Sequence, residues 1–390
     1  LGLTTLTILD DAQRFIAQLH QTPCNLESLP LNDRPTFELL QRGDVFGLFQ
    51  LETSAGMRRL VQRMQIANFD DLVAVIALYR PGALHAADDY IARRHGREPI
   101  SYPHPALERV LKDTYGVMIY QEQVMQALRV LAGYSLAEAD TFRQIMSKKL
   151  VEQINNERDR FLRRAAEKGL PPDQTDNLFD LISKFANYGF NKSHAAAYAV
   201  VTYRTAYVKA NYPAEFFAAL LNSRADAATH VQECRLNCQA LGVRLLGPDV
   251  NQSAAGFSVE REPDGGRPAI RYGLEAIRNV GPSAAKALLD ERTANGPFRS
   301  IDEFCRRVRT RAVTRRTLES LVKAGACDCF GLPRQRLCLV VDDICARWER
   351  SGESALQRSF FDDFNDAAAP RDTVRIELDA VAEWEPLTRL

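Results

Sequence analysis

Cysteine is scarce in this chain, at eight in 390 residues. That is too few for a disulfide scaffold and points to a reducing, cytoplasmic setting. No apolar run approaches the roughly 18 residues that a membrane-spanning helix needs, and no basic-then-apolar leader opens the chain, so a soluble protein with no membrane partner is expected. Net charge is missing too, with 50 Lys plus Arg against 50 Asp plus Glu. Supercharged, collagen-like and low-complexity classes are thereby excluded, and no repeat period is found. What is present is a hydrophobic share of 46%, that of a globular chain. At roughly 100–200 residues per domain, the length allows two or three domains. The opening LGLTTLTILDDAQRFIAQL lacks an initiator Met and is already amphipathic, so it reads as a chain cut from something longer.

Helix signals dominate. After Pro30, Asp33 and Pro35, residues 36–65 read as a helix, a turn at Gly43 and a basic helix starting near Ser54, with Leu60, Val61 and Met64 on one face of a 3.6-residue period. An apolar helix over 69–79 stops at Arg80-Pro81-Gly82, because a proline disfavours helical geometry in the residue before it. Long helices follow to Ser223, broken at Pro171-Pro172 and, after the alanine-rich stretch from Ser193 to Asn211, at Pro213. Near Leu245 the texture changes. FSVE, then Gly265-Gly266, then AIRYGL predict a β-hairpin. Helices resume from Gly281 to about Arg350, and from Ser351 a tether is expected, followed by a strand-like TVRIEL.

The zero net charge is unevenly distributed. Residues 142–168 carry eight basic and four acidic side chains, and residues 299–336 carry ten and four. Residues 337–390 reverse the sign, with six basic and twelve acidic. Two basic stretches suit phosphate-bearing partners, although solvated helix faces account for them equally well.

YGFNKSHAAAY joins a loop to a helix. Asn191 or Ser193 can cap that helix, which leaves free N–H groups and a positive dipole end beside Lys192 and His194. The chemistry is that of an anion site, and the competing reading is an ordinary capped helix with Lys192 in solvent. Arg80 sits at a helix end, and Arg143 with Lys148 and Lys149 projects from one basic helix without sharing a single stripe. Together with Lys192 these supply the cations a triphosphate needs.

Residues 276–288, AIRNVGPSAAKAL, present a helix end, a tight turn at Asn279-Val280-Gly281 and a new helix at Pro282 and Ser283. Proline suits the first helical turn, so the segment has the logic of a helix-hairpin-helix, which grips nucleic-acid backbone without reading sequence. A plain helix connector is the alternative. In the tail, Gln357, Arg358, Ser359, Phe360 and Phe361 place a glutamine and two aromatics in a polar segment, the make-up of a short docking peptide. Cys234 with Cys238, and Cys327 with Cys329, have no companion pair at zinc-finger spacing, so free thiols are expected and no metal site is assigned. Asp88-Asp89 reads as a turn or cap, and no catalytic triad signature occurs.

In order, LGLTTLTILDDA, GLFQLETSAGMRRLVQRM, ALYRPG, RRHGREPISYPHPAL, TYGVMIYQEQVMQ, GYSLAEADTFRQIMSKK and YGFNKSHAAAYAVVTYRTAYVKANYPAEFFAALLNS resemble the catalytic alpha subunit of bacterial DNA polymerase III over nearly the whole chain. The fold implied is mainly α: multi-helical fingers over 1–247, a helix-hairpin-helix and clamp-binding domain with a small β element over 248–350, and an acidic tether over 351–390. The activity implied is primer extension from dNTPs in chromosomal replication. In this family two Mg²⁺ ions are held by three palm aspartates, which the resemblance places outside this chain, so no catalytic residue is assigned here and the chain alone is expected to be inactive. By the same likeness Arg80, Arg143, Lys148, Lys149, Asn191, Lys192, Ser193 and His194 face the nucleotide and template, and Asn279, Val280, Gly281, Pro282 and Ser283 hold duplex DNA. Gln357, Ser359, Phe360 and Phe361 look like the sliding-clamp motif. The implied partners are primer-template DNA, dNTPs, the sliding clamp and other subunits of the replicative holoenzyme.

Three segments depart from the family pattern: Ala83-Leu84-His85-Ala86-Ala87 after the Arg-Pro-Gly, the Arg143–Lys149 stretch with one cation and a glycine fewer, and Phe360 in place of a leucine. The first leaves contacts in that loop open. Competing functions are a non-catalytic DNA-binding or clamp-tethered module, and a translesion paralogue.

Overall fold

The computed structural model describes residues 4–52, 54–80, 82–148, 151–223, 228–262 and 266–357. Among them the chain is mainly helical with one small sheet, as the fold class expected. Lys149, Ser359, Phe360, Phe361, Gly265 and the TVRIEL segment lie outside the described residues.

The helices begin and end where local chemistry dictates. Ser54 accepts the N–H of Met57 at 3.2 Å to start the Ala55–Met64 helix, and Asn68 accepts that of Asp71 at 2.9 Å to start Phe69–Leu78. Gly43 ends Arg34–Arg42 with φ 74°, the left-handed region that favours glycine. Pro172 opens Pro172–Tyr188 from its first turn. Asp88 and Asp89, expected in a turn or cap, lie inside the Leu84–Arg94 helix, where Asp88 pairs with Arg63 of the preceding basic helix.

Packing divides the chain into two units, one of residues 25–211 and one of 1–24 with 212–390. The sequence-based boundary at 247 falls inside the second unit. The reason is that the Thr4–His20 helix packs on Pro213–Ser223, burying Ile8, Leu9, Phe15 and Ile16 with Phe216, Phe217 and Leu221. His20 Nε2 lies 2.7 Å from the buried Glu215 carboxylate and clips the pair together.

In the 25–211 unit a core of Leu107, Leu128, Leu131, Phe142, Phe161, Phe179 and Ile182 is fully buried. Side chains of this size contribute about 1.5–3 kcal/mol each on burial, which holds the middle helices together. Above it Tyr134 is covered by Arg160 and Arg164, at 5.2 and 5.1 Å from the ring centroid, both paired with Glu138.

The other unit carries the sheet, in the order β1 (Leu245–Leu246), β3 (Pro268–Arg271), β2 (Ser258–Arg261). β2 and β3 form the expected antiparallel hairpin, with Val259 opposite Ile270. β1 adds in parallel, Leu245 opposite Ile270, a pairing that two residues give no periodicity to announce. Beyond it, Val280, Ala285, Leu288, Phe304, Leu318, Leu321 and Leu337 form a second core. The last helix, Arg334–Gln357, runs on past Ser351, where a tether was expected, because Glu353, Ala355 and Leu356 favour helix and one Gly352 costs only about 1 kcal/mol.

Candidate functional site

Three of the quoted motifs, together with Ile76, line one cavity in the 25–211 unit, of about 350 Å³ and formed by Gln50, Met57, Ile76, Tyr79, Arg80, Phe190, His194 and Tyr198. Phe190 is fixed by a short bridge to the 119–121 segment, with Phe190 N–H donating to Ile119 at 3.0 Å and Gln121 N–H to Phe190 at 2.9 Å. The Arg80 guanidinium lies on that ring, 3.9 Å from its centroid. His194 and Tyr198 follow one turn apart on the Lys192–Asn211 helix, with ring centroids 4.2 Å from each other, and Tyr198 stacks on Phe49 at 5.3 Å and 9°. The wall is therefore aromatic from Phe190 to Phe49.

Two features of this cavity are costly. Arg80 Nε and Nη2 are covered yet have no hydrogen-bond partner, and burial pushes the guanidinium pKa down. A covered donor without an acceptor costs roughly 1–3 kcal/mol. Gln50 is held at φ 62°, in the left-handed region that a non-glycine residue enters only under constraint. At the rim, Gly82 accommodates the Tyr188 ring, since a Cβ there would come within 1.8 Å of it.

The helix start at 191–194 is capped by Asn191, whose Oδ1 accepts the His194 N–H at 2.8 Å; Ser193 is exposed. The free N–H expected at Lys192 is already taken, because both oxygens of Glu122 accept it at 3.0 and 2.9 Å. A carboxylate of the protein thus occupies the dipole end that an incoming phosphate would use. The Lys192 ammonium lies 5.4 Å from the Tyr120 ring centroid. Arg143 is paired within its own helix, Nη2 to Asp140 Oδ1 at 2.8 Å, and this hydrogen bond holds the Asp140 pKa down. Lys148 is exposed at the end of that helix. Arg80 and His194 thus share one cavity that neither Arg143, Lys148, Asn191, Lys192 nor Ser193 lines. Sequence reasoning left out Gln50, Glu122, Tyr188 and Tyr198, although all stand inside quoted motifs.

The second candidate region lies in the other unit. Asn279 adopts φ 68°, Val280 is buried, and Gly281 caps the Pro282–Asn295 helix with Pro282 in its first turn and Ser283 exposed. The hairpin is tied to the Arg315–Ala324 helix: Thr317 Oγ1 donates to the Asn279 carbonyl at 3.1 Å, and Asn279 Nδ2 donates to Ser320 Oγ at 3.0 Å. Arg278, next to the turn, and Arg316, on the helix tied to it, are exposed, as are Arg306 and Arg311 of the same unit. Of the tail peptide, Gln357 closes the last helix.

Cys234 Sγ lies 3.6 Å from His230 Nε2, and Cys329 accepts from Asn251 Nδ2 at 3.7 Å. Among the described residues no group of three or more His, Cys, Asp or Glu could hold a metal ion. The described side chains do not fit a two-Mg²⁺ centre.

Aromatic and cationic motifs on a helical scaffold, followed by a hairpin in a unit with exposed arginines, have the chemistry that suits phosphates and bases. Residues 5–169 match the family model for the bacterial DNA polymerase III alpha subunit finger domain, and residues 242–337 match that for the helix-hairpin-helix motif. The chain is similar to the DNA polymerase III subunit alpha of Thermus aquaticus, 47% identical over 353 residues, which covers 89% of this chain and 28% of that protein. It is likewise similar to the same-named proteins of Chlamydia muridarum, 41% identical over 91% of this chain and 28% of that protein, and of Xylella fastidiosa strain Temecula1, 39% identical over 100% and 32%. The chain belongs to the family of bacterial DNA polymerase III alpha subunits. It spans about three tenths of the length of these curated relatives. No helix among the described residues is long and apolar enough to cross a membrane.

Proposed function

We propose that the protein serves in a DNA-directed DNA polymerase that extends primers from dNTPs during replication in the bacterial cytoplasm. The observation that carries this is the finger-domain match over residues 5–169, which spans the segments that build the Arg80 cavity up to the 188–198 wall. In this reading residues 25–211 meet nucleotide and template through Arg80, Arg143, Lys148, Lys149, Asn191, Lys192, Ser193 and His194. The Asn279–Ser283 hairpin holds the duplex through its phosphates, which fixes position without reading bases. Gln357, Ser359, Phe360 and Phe361 attach the sliding clamp, and the other holoenzyme subunits assemble on the complete protein. The two Mg²⁺ ions belong to palm aspartates outside this chain.

Chemically, the fingers contribute positioning and charge. Cations near a triphosphate offset the negative charge that develops on the leaving pyrophosphate, and a preorganised wall aligns the base. Primer extension tests the reading. The full-length gene product with Mg²⁺, primer-template and dNTPs is expected to extend the primer, and no extension overturns it.

A further inference from the structure

The Phe190 ring on which Arg80 lies belongs to no regular sheet; a single bridge to the segment before the Gln121–Ala132 helix sets it. That segment turns through Tyr115 at φ 54° and Gly116 at φ 80°, then runs on through Val117, Met118, Ile119 and Tyr120, all buried. The N–H groups of Ile119 and Tyr120 meet no backbone acceptor among the described residues. A side chain takes both. Gln123, 7% exposed, accepts the Ile119 N–H at 2.9 Å and the Tyr120 N–H at 3.0 Å with Oε1. Its Nε2 donates to Thr114 Oγ1 at 2.7 Å and to the Val110 carbonyl at 3.4 Å, and Thr114 Oγ1 donates in turn to the Leu111 carbonyl at 3.2 Å. A primary amide has two donor and two acceptor positions, and all four are in use, so a flipped amide would set its NH₂ against two N–H groups. Only one orientation works. A glutamine in the third position of a helix commonly takes the N–H of the residue before that helix, here Tyr120. Capping accounts for that bond and not for the other three, which tie the amide to the segment that carries Phe190.

We propose that Gln123 is a positioning residue of the Arg80 site: it fixes the Ile119–Tyr120 backbone, which fixes Phe190, which sets the plane of the Arg80 guanidinium. The proposal rests on the fingers reading. Gln123 does not line the cavity and acts only through the segment it holds. Phe190 hangs on two bonds to that segment, its N–H to Ile119 and its carbonyl from Gln121, so a displacement there is handed to the ring. Without the amide two buried N–H groups lose their acceptor, and the backbone must shift to find another. A misplacement of about 1 Å far from the reacting atoms can cost on the order of a hundredfold in rate. Here the cation is misaimed and not removed, so the nucleotide requirement should suffer before the turnover.

The test is a comparison of KM with kcat in primer extension by the full-length protein, with Mg²⁺, primer-template and varied dTTP. Gln123→Met, of similar length but without an amide, should raise the KM for dTTP about tenfold and hold kcat within about twofold, the pattern of lost binding and not of lost protein. Gln123→Glu keeps an oxygen for both N–H groups at a helix start that favours a carboxylate, and it should recover most of that loss. A loss in kcat alone, an unchanged KM, or a Glu variant as impaired as the Met variant would overturn the proposal. Thr114→Val strips Nε2 of its closest acceptor and should raise KM about threefold; it decides the matter, by the same criteria, if Gln123→Met does not fold. Hydrogen exchange of the 390-residue chain gives a second readout. In Gln123→Met the Phe190 amide should lose protection about tenfold while the Pro282–Asn295 helix keeps its own, and parent-like protection at Phe190 would equally overturn the proposal. Failed primer extension by the parent protein, with that exchange result intact, would sink the polymerase reading and leave the hold on Phe190 standing.

Discussion

Arg307 and Arg80, two of the arginines that lie over phenylalanine rings, have opposite surroundings. Arg307, 4.4 Å from the Phe298 centroid, spends every donor: Nε and Nη1 meet Glu291 and Glu303 at 2.9 and 3.0 Å, and Nη2 meets the carbonyls of Gly296 and Glu291 at 2.7 and 3.2 Å. Burial works against its charge, but those carboxylates outweigh it and raise its pKa. Arg80, 3.9 Å from Phe190, has the stack, but among the described residues its Nε and Nη2 meet no acceptor, and burial lowers its pKa. The same residue type on the same platform is a structural brace in one unit and an open valence in the other. Stacking alone therefore does not tell structure from function. The state of the guanidinium nitrogens does.

The comparison breaks most readily at Arg307. Arg307→Ala should destabilise the 282–308 region by on the order of 3 kcal/mol, through loss of several charge-assisted hydrogen bonds and of the covering ring contact. Hydrogen exchange of the Pro282–Asn295 helix reads this out, and protection unchanged from the parent would refute the bracing role. Next in size is the brace of the other unit, Glu138. Its pKa is pulled down to about 2 by hydrogen bonds from Arg164 and the Ser135 N–H and by the Arg160 charge. A depressed folded-state value contributes stability that is present above the ordinary 4.5 and is lost as pH falls from there toward about 2. Glu138→Gln should flatten the acid side of the stability profile between those two values, and an unchanged slope would rule out the linkage.

Lys192 offers a smaller effect. Among the described residues its ammonium meets the Tyr120 ring and no carboxylate, so Lys192→Ala should leave folding intact, raise the nucleotide requirement in primer extension and weaken DNA binding less. Equal losses in both would remove it from the nucleotide site. Smallest of all is the stability change for Arg80→Gln. Exchanging a guanidinium without acceptors for a neutral amide should shift the melting free energy by less than about 1 kcal/mol, against the large loss at Arg307. A loss comparable to that of Arg307→Ala would show that Arg80 is also a brace.

Much of the fold was legible in the sequence because its punctuation is local. Ser54 and Asn191 cap the helices they precede, Gly43 ends one, and Pro172 and Pro282 open two more. The candidate residues were legible by resemblance, but their grouping was not. Arg80 meets Phe190, and Glu122 meets the Lys192 N–H, across long stretches of chain that no period or spacing connects. Gln50 gave no warning either, since a left-handed backbone is announced by glycine and not by glutamine. The unit boundary at 24 and 211 escaped for the same reason: only packing reveals that the Thr4–His20 helix sides with Pro213–Ser223.

Lys209 is buried to 1% exposure near the far end of the helix that carries His194 and Tyr198, and its ammonium donates to the carbonyls of Asp44 and Phe46 at 2.8 and 2.9 Å. Those carbonyls belong to the loop that leads into Phe49 and Gln50, and Thr205 of the same helix holds the Phe49 N–H at 3.3 Å. Mechanically this is a rivet. Loop and helix travel as a single body, so the distance between the polar edge at Gln50 and the ring of Tyr198 is a fixed gauge, set one end of a helix away from where it is used. A neutral replacement at Lys209 would loosen that gauge and blur the geometry at Arg80 without touching any residue that lines the cavity.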